Sequence, residues 1–313
     1  MDMSKKIKAV VIGHAIGDAI GVPVEFCKRE DLENAPLTDM RGFGTHPVPA
    51  GAWSDDTSMS LAALDSLSKG SVDWDEIMRN FGDWLQHNKY TPTGEVFDSG
   101  GTCVRAIMNY CSRNIPAPQC GETTAYSNGN GSLMRLHPFV LYAYTKQLPF
   151  EQWIELIHTA SALTHGHERA KLGCGIYACI LWHLLDRPDK RVIQTALRQA
   201  EAHYRDHGEL EHYQRLFQCD FDQTERSAIK SSGYVVDTLE AALWCLLTTD
   251  TYRDCVLKAA NLGEDTDTVA AVAGSLAGAL YGYDSLPKEW LDQLIQREYI
   301  EEMCQRASNA WMA

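Results

Sequence analysis

Apolar residues recur three and four positions apart along most of this chain, with few alternating runs and no strand-helix-strand rhythm. That pattern predicts helices joined by loops. The first helix, over 8–21, carries Gly13, Gly17 and Gly21 four apart, and a late one after Thr268 repeats the device with Gly274, Gly278 and Gly282. Glycine costs a helix about 1 kcal/mol against alanine, so two such rows point to unusually close packing or to approach of a ligand. Between them the pattern predicts an apolar helix over 58–67 and an amphipathic one over 74–87. Further helices are expected after Gly100 and Gly101, after the Gly129–Gly131 loop, and from Ser232. Residues 36–51 form a loop punctuated by Gly and Pro, and the polar stretch 203–230, with His203, His207 and His212, reads as solvated helix and loop. No repeat or linker divides the chain, so the expectation is one all-α domain over residues 1–313.

Two acidic clusters stand at predicted helix starts. In 261–268, Asp265 and Asp267 alternate with Thr266 and Thr268; in 54–57, Asp55 and Asp56 lie between Ser54 and Thr57. Both offer hard oxygen ligands alone, which suit Mg²⁺, Mn²⁺ or Ca²⁺. Helix capping by Asp267, Thr268 or one of the Asp55/Asp56 pair accounts for one residue in each cluster, not all. Four carboxylates brought into one pocket would repel one another unless cations neutralised them, which favours a two-cation site. Other candidates are less specific. Glu25 sits in the loop leaving the first helix, either as a functional carboxylate or as an exposed one. Asp98 precedes a glycine pair and reads equally as a cap. The 126–135 loop can cradle phosphate on the amides around Gly129 and Gly131, or be a plain turn. His165 and His167 lack the Cys or His partners of a zinc site, which leaves His165 structural or in contact with substrate.

Composition narrows the class. The chain has 313 residues, 45% of them hydrophobic, which allows a buried site. The net charge is -14 with no Lys/Arg-rich run, so nucleic acid is not an expected partner. Ten cysteines without a C-x-x-C pair read as reduced, buried thiols of a cytoplasmic protein. The apolar run near the N-terminus is interrupted by Gly13, His14 and Asp18, so neither a signal peptide nor a membrane span is expected.

Six motifs in order between Gly13 and Gly282 carry a resemblance: G-H-A-I-G-D-A-I-G-V-P-V-E-F, W-S-D-D-T, G-N-G-S-L-M-R, L-T-H, S-G-Y-V-V-D-T-L-E-A-A-L-W and N-L-G-E-D-T-D-T-V-A-A-V-A-G. Together they resemble the ADP-ribosylglycohydrolase family. The resemblance implies a compact orthogonal helical bundle with a pair of Mg²⁺ or Mn²⁺ ions at the bottom of a cleft. Ser54, Asp55 and Asp56 would hold one ion, Asp265 and Thr268 the other, and Asp267 would bridge. Glu25 and Asp98 would be the catalytic carboxylates. Asn128, Gly129, Asn130, Gly131, Ser132 and His165 would contact the diphosphate and ribose, with Tyr234 at the adenine end. The implied reaction is hydrolytic release of ADP-ribose from modified protein side chains, arginine first, through an oxocarbenium-like state at the anomeric carbon. It would serve endogenous regulation or toxin immunity, in a monomer that binds ADP-ribose and no membrane. Hydrolysis of another linkage (serine, O-acetyl-ADP-ribose), a metal-dependent phosphoesterase, and a non-catalytic ADP-ribose-binding or structural role are the alternatives.

Overall fold

The computed structural model describes residues 2–313, and its order is helical. The helices are α1 (Met3–Gly21), α2 (Arg29–Asn34), α3 (Asp55–Leu67), α4 (Trp74–His87), α5 (Gly101–Arg113), α6 (His137–Thr145), α7 (Phe150–Ala162), α8 (Glu168–Asp186), α9 (Arg191–Tyr204), α10 (Val235–Leu247), α11 (Tyr252–Ala260), α12 (Thr266–Tyr281), α13 (Lys288–Gln293) and α14 (Arg297–Met312). Among the described residues there is no β-strand, only the isolated bridges Glu122 to His165 and Gly129 to Tyr234. The fold is all-α, as the periodicity predicts.

Helices α1 and α12 form the centre, lying against each other along their glycine rows. A β-carbon on Gly17 would stand 2.1 Å from the Ala270 carbonyl oxygen, and one on Gly21 would stand 2.3 Å from Asp267 Cα. Thr266 Oγ1 joins the pair by donating to the Gly21 carbonyl (2.8 Å), and Tyr252 Oη, from α11, donates to the Gly13 carbonyl (2.6 Å). Around this pair pack α3, α11 and α14 beside α1, and α8, α10 and α11 beside α12. Helix α1 is longer than its sequence suggests. The segment Met3–Val24 is long and apolar enough to cross a membrane, but 94% of its most apolar window is buried within the protein.

Three local expectations change. Helices α3 and α12 start at Asp55 and Thr266, so both acidic clusters reach into first turns instead of preceding them. The polar stretch after Tyr204 forms 3-10 turns over Gly208–Phe217, Phe221–Gln223 and Arg226–Ala228, pinned by buried Tyr213, Leu216 and Phe221. All ten cysteines are free and most are buried, but Cys111 and Cys219 are exposed.

Candidate active site

The start of α3 is built so that its aspartates are not needed as caps. Ser54 is the N-cap, its Oγ accepting from the Asp56 amide (3.3 Å). Asp18, from the middle of α1, accepts from the Ser54 amide (2.9 Å), the Thr57 amide (3.0 Å) and Thr57 Oγ1 (2.6 Å). The Ser54, Asp56 and Thr57 N–H groups at that helix end are thereby satisfied by residues other than Asp55 and Asp56. Asp56 is wholly buried; its Oδ2 accepts from Ser54 Oγ (3.2 Å) and Thr268 Oγ1 (3.3 Å), while its Oδ1 has no donor. Asp55 accepts from the Gly100 amide (3.1 Å), which ties α3 to the start of α5.

Helix α12 brings the second cluster to the same place. Its N-cap, Asp265, makes no capping bond of its own; its Oδ2 instead accepts from Asn130 Nδ2 (2.8 Å). Asp267 is buried and its Oδ1 also lacks a donor. Carboxylate oxygens of Asp18, Asp56 and Asp267 lie within 4.8 Å of one another, as do those of Glu25, Asp265 and Asp267. Asp267 is thus common to two acidic triads. Hard oxygen donors in this array, two of them buried without hydrogen-bond partners, fit a divalent cation such as Mg²⁺ or Mn²⁺.

Glu25 is not the exposed glutamate that its sequence setting allowed. It is buried, and its Oε2 is bonded to His46 Nε2. The loop containing His46 folds back on the same turn, with the Thr45 amide donating to the Pro23 carbonyl (3.1 Å) and Thr45 Oγ1 to the Glu25 carbonyl (2.6 Å). A backbone latch holds this turn against α12: the Phe26 amide donates to the Glu264 carbonyl (2.6 Å), and the Glu264 amide returns a bond to the Cys27 carbonyl (2.9 Å).

The acidic floor opens into a cavity of about 340 Å³. Glu25, Phe26, Asp55, Asp98, Ser99, Cys103, Gly129, Asn130, Gly131, His165, Gly233, Asp265 and Thr268 all line it. A larger open groove of about 620 Å³, lined by Arg29, Glu33, Arg226 and Glu264 among others, holds no such triad. Asp98 is half-buried, and its Oδ1 accepts from the Ser99 amide (2.9 Å).

Three of the residues expected around the ligand turn elsewhere. Asn128 is engaged with the Ala125 carbonyl and the Ala170 amide, and the Ser132 hydroxyl is buried against Ser161 and Cys174. Tyr234 Oη accepts from Arg169 Nη1 (3.1 Å), outside the cavity lining. His165 is buried, and its Nδ1 lies 2.9 Å from Thr164 Oγ1, which also accepts from Arg135 Nη2 (2.8 Å). The ring's Nε2 lies on the Gly129 side. Burial, reinforced by the Arg135 charge, pushes the His165 pKa down to about 3, so the ring is neutral.

Burial and mutual repulsion push the carboxyls the other way. Desolvation, then the charges of Asp98 and Asp265, lift Glu25 to about 9; desolvation lifts Asp18 to about 6; and Asp55, Asp56 and Asp267 rise well above the usual carboxylate range, again with burial as the first cause. The folded state therefore holds protons that the unfolded chain has already released. Stability from this source is complete below about pH 4, the ordinary carboxyl range, and is lost as pH rises through the folded values near 6 and 9. In EDTA the melting temperature is expected to fall from pH 5 to pH 9, and Mg²⁺ or Mn²⁺ to restore most at the alkaline end, since a bound cation replaces the protons. A melting temperature in EDTA that stays flat across that range would contradict the strained cluster.

Asp18 and His46 escaped the sequence reading. Asp18 had a signal, as the one charge in the apolar, glycine-spaced run 9–21. His46 had none, because its pairing with Glu25 depends on a loop folding back across more than twenty residues.

A family model described as ADP-ribosylglycohydrolase matches residues 1–313. The chain is 33% identical over 308 residues to an ADP-ribosylarginine hydrolase Tri1 of Serratia proteamaculans, covering 96% of this chain and 78% of the relative. It is 35% identical over 301 residues to the protein of the same name from Pseudomonas putida, covering 96% and 77%. It is 31% identical to the ADP-ribosyl-[dinitrogen reductase] glycohydrolase of Rhodospirillum rubrum, covering 96% and 94%. A solved structure titled ADP-ribosylglycohydrolase-related protein complex superposes with a TM-score of 0.83 at 29% identity, covering 99% of each chain.

Proposed function

The chain belongs to the ADP-ribosylglycohydrolase family and is a glycohydrolase enzyme, and from that premise we propose that it hydrolyses the bond between ADP-ribose and arginine side chains of modified proteins, with the acidic floor holding two divalent cations. The observation that carries this reading is the sharing of Asp267 between two carboxylate triads, one of which lines the cavity through Glu25 and Asp265. The curated relatives named ADP-ribosylarginine hydrolases favour arginine as the linkage.

In this reading Asp56, Asp265 and Asp267 hold the cations, with Ser54 and Thr268 adding hydroxyl oxygens and Asp55 and Glu25 close by. When bound, the ions supply charge neutralisation at the floor, an anchor for the ribose hydroxyls, and polarisation of the attacking water. The chain's own groups do the rest. Amides of the Gly129 and Gly131 loop and the neutral imidazole of His165 bind the anionic and hydroxyl groups of ADP-ribose. Glu25, oriented by His46, takes the proton of the water that attacks the anomeric carbon. Asp98 faces the departing guanidine, which leaves with the C–N electron pair and picks up a proton. The free thiols and the lack of a basic patch suit a cytoplasmic enzyme acting on proteins; regulation and defence against an ADP-ribosylating toxin remain two settings for one reaction.

The test is release of ADP-ribose from an arginine-ADP-ribosylated protein by the purified enzyme with Mg²⁺ or Mn²⁺, compared with EDTA. Release that needs the metal is the expected outcome. A protein that binds ADP-ribose yet releases none under any metal would defeat the proposal.

A further inference from the structure

The wall of the cavity next to Glu25 holds a ring that the reaction above does not use. Phe26 lines the cavity and is 67% exposed, with its backbone at φ 61°. A left-handed backbone is unfavourable for any residue with a β-carbon and is an outlier for a bulky aromatic. Turning a phenyl ring to water also forgoes the stabilisation of burying it. The backbone latch to Glu264, itself at φ 62°, fixes this conformation from both sides. Packing gives no reason for it, and strain of this kind concentrates where a ligand is held.

The surroundings say what the ligand would be. The His46 ring lies 6.3 Å from Phe26 and 5.2 Å from Phe97, so an aromatic row runs along the lip from Glu25 towards Asp98. Below it stand the carboxylates of Glu25, Asp55 and Asp98. Phe26 is the one phenyl ring among the described residues lining the cavity; the Gly129 to Gly131 side offers amides and a neutral imidazole. An aromatic face edged by carboxylates complements a planar cation, because a guanidinium stacks on the ring while its N–H groups reach the oxygens.

We propose that Phe26, backed by His46 and Phe97, seats the guanidinium and alkyl stem of the modified arginine, so that this lip and not the ADP-ribose pocket selects the arginine linkage. The proposal rests on the arginine reading above. It predicts a split between linkage and nucleotide. Phe26→Asn removes the ring while suiting a left-handed backbone, and Phe26→Tyr keeps the face. With Mg²⁺, the asparagine variant is expected to raise KM for an arginine-ADP-ribosylated peptide about ten-fold. Its calorimetric affinity for free ADP-ribose should match that of the wild type, and the tyrosine variant should restore KM. Melting curves of both variants check that the fold is kept. An equal loss of ADP-ribose affinity would put the ring under the nucleotide and overturn the proposal, as would an unchanged KM. If the wild type releases ADP-ribose from a serine-linked peptide and not from the arginine one, the arginine reading itself fails, whatever the variants do.

Discussion

An Asp267→Asn protein is expected to lose metal-dependent ADP-ribose release by about a thousand-fold or more, and at the same time to melt higher than the wild type in EDTA. The two effects share a cause. Asp267 is the residue common to both acidic triads, buried, with one carboxylate oxygen lacking any donor. Burial first, then the charges of Glu25, Asp56, Asp265 and Asp18, oppose its ionisation. An amide of the same shape removes that repulsion, and a buried charge freed of unfavourable neighbours commonly returns about 1 kcal/mol or more to the fold. The same change withdraws a ligand from both proposed cation positions, and loss of several kcal/mol of charge stabilisation in the transition state is a factor of about a thousand in rate. Release assays in Mg²⁺ and melting curves in EDTA and in Mg²⁺ measure both. Full metal-dependent turnover in the variant would remove Asp267 from the centre of the site. An unchanged melting temperature in EDTA would mean that the carboxylates are not in conflict.

This coupling explains which parts of the site were legible in the sequence. The clusters around Asp56 and Asp267 are contiguous, so the density of hard ligands is visible without a fold. The objection to them, that short Asp/Thr clusters serve as helix caps, turns on where the other capping groups come from. In the structure they come from Ser54 and from Asp18, thirty-six residues away. No local pattern shows that. The amphipathic helix over Trp74–His87 has the bounds that its periodicity predicts, because its N-cap Asp73 and its left-handed Asn88 are local signals. Glu25 was ambiguous for the opposite reason: its burial depends on the His46 loop and on the Glu264 latch, both distant in sequence. Asn128, Ser132 and Tyr234 lie in the stretches that shape the cavity, yet their side chains brace the loop instead of facing it. A motif locates a loop, and hydrogen bonding decides which of its side chains point inward.

The glycine rows were legible as a contact, and the strength of that contact can be tested by one methyl group. Gly17→Ala is expected to destabilise the protein by about 3 kcal/mol or more, a large share of the roughly 5–15 kcal/mol typical of a folded domain. Helix propensity alone argues the reverse, since alanine in place of a helical glycine is worth about 1 kcal/mol in favour of the helix. The geometry decides between them. The new β-carbon would lie 2.1 Å from the Ala270 carbonyl oxygen and 2.6 Å from its carbon, and both belong to the backbone of α12, so no rotamer change relieves the overlap. The helices must separate. Because Asp267 stands one turn before Ala270 and sets both acidic triads, that separation should also weaken the response of the melting temperature to Mg²⁺. Gly208→Ala, at a site with nothing within 4 Å of the added carbon, is the control and should change stability little. Denaturant unfolding of the two variants gives the comparison. A Gly17→Ala protein as stable as its control would mean that α1 and α12 can part without penalty, and the two acidic clusters would then owe their alignment to something other than this helix pair.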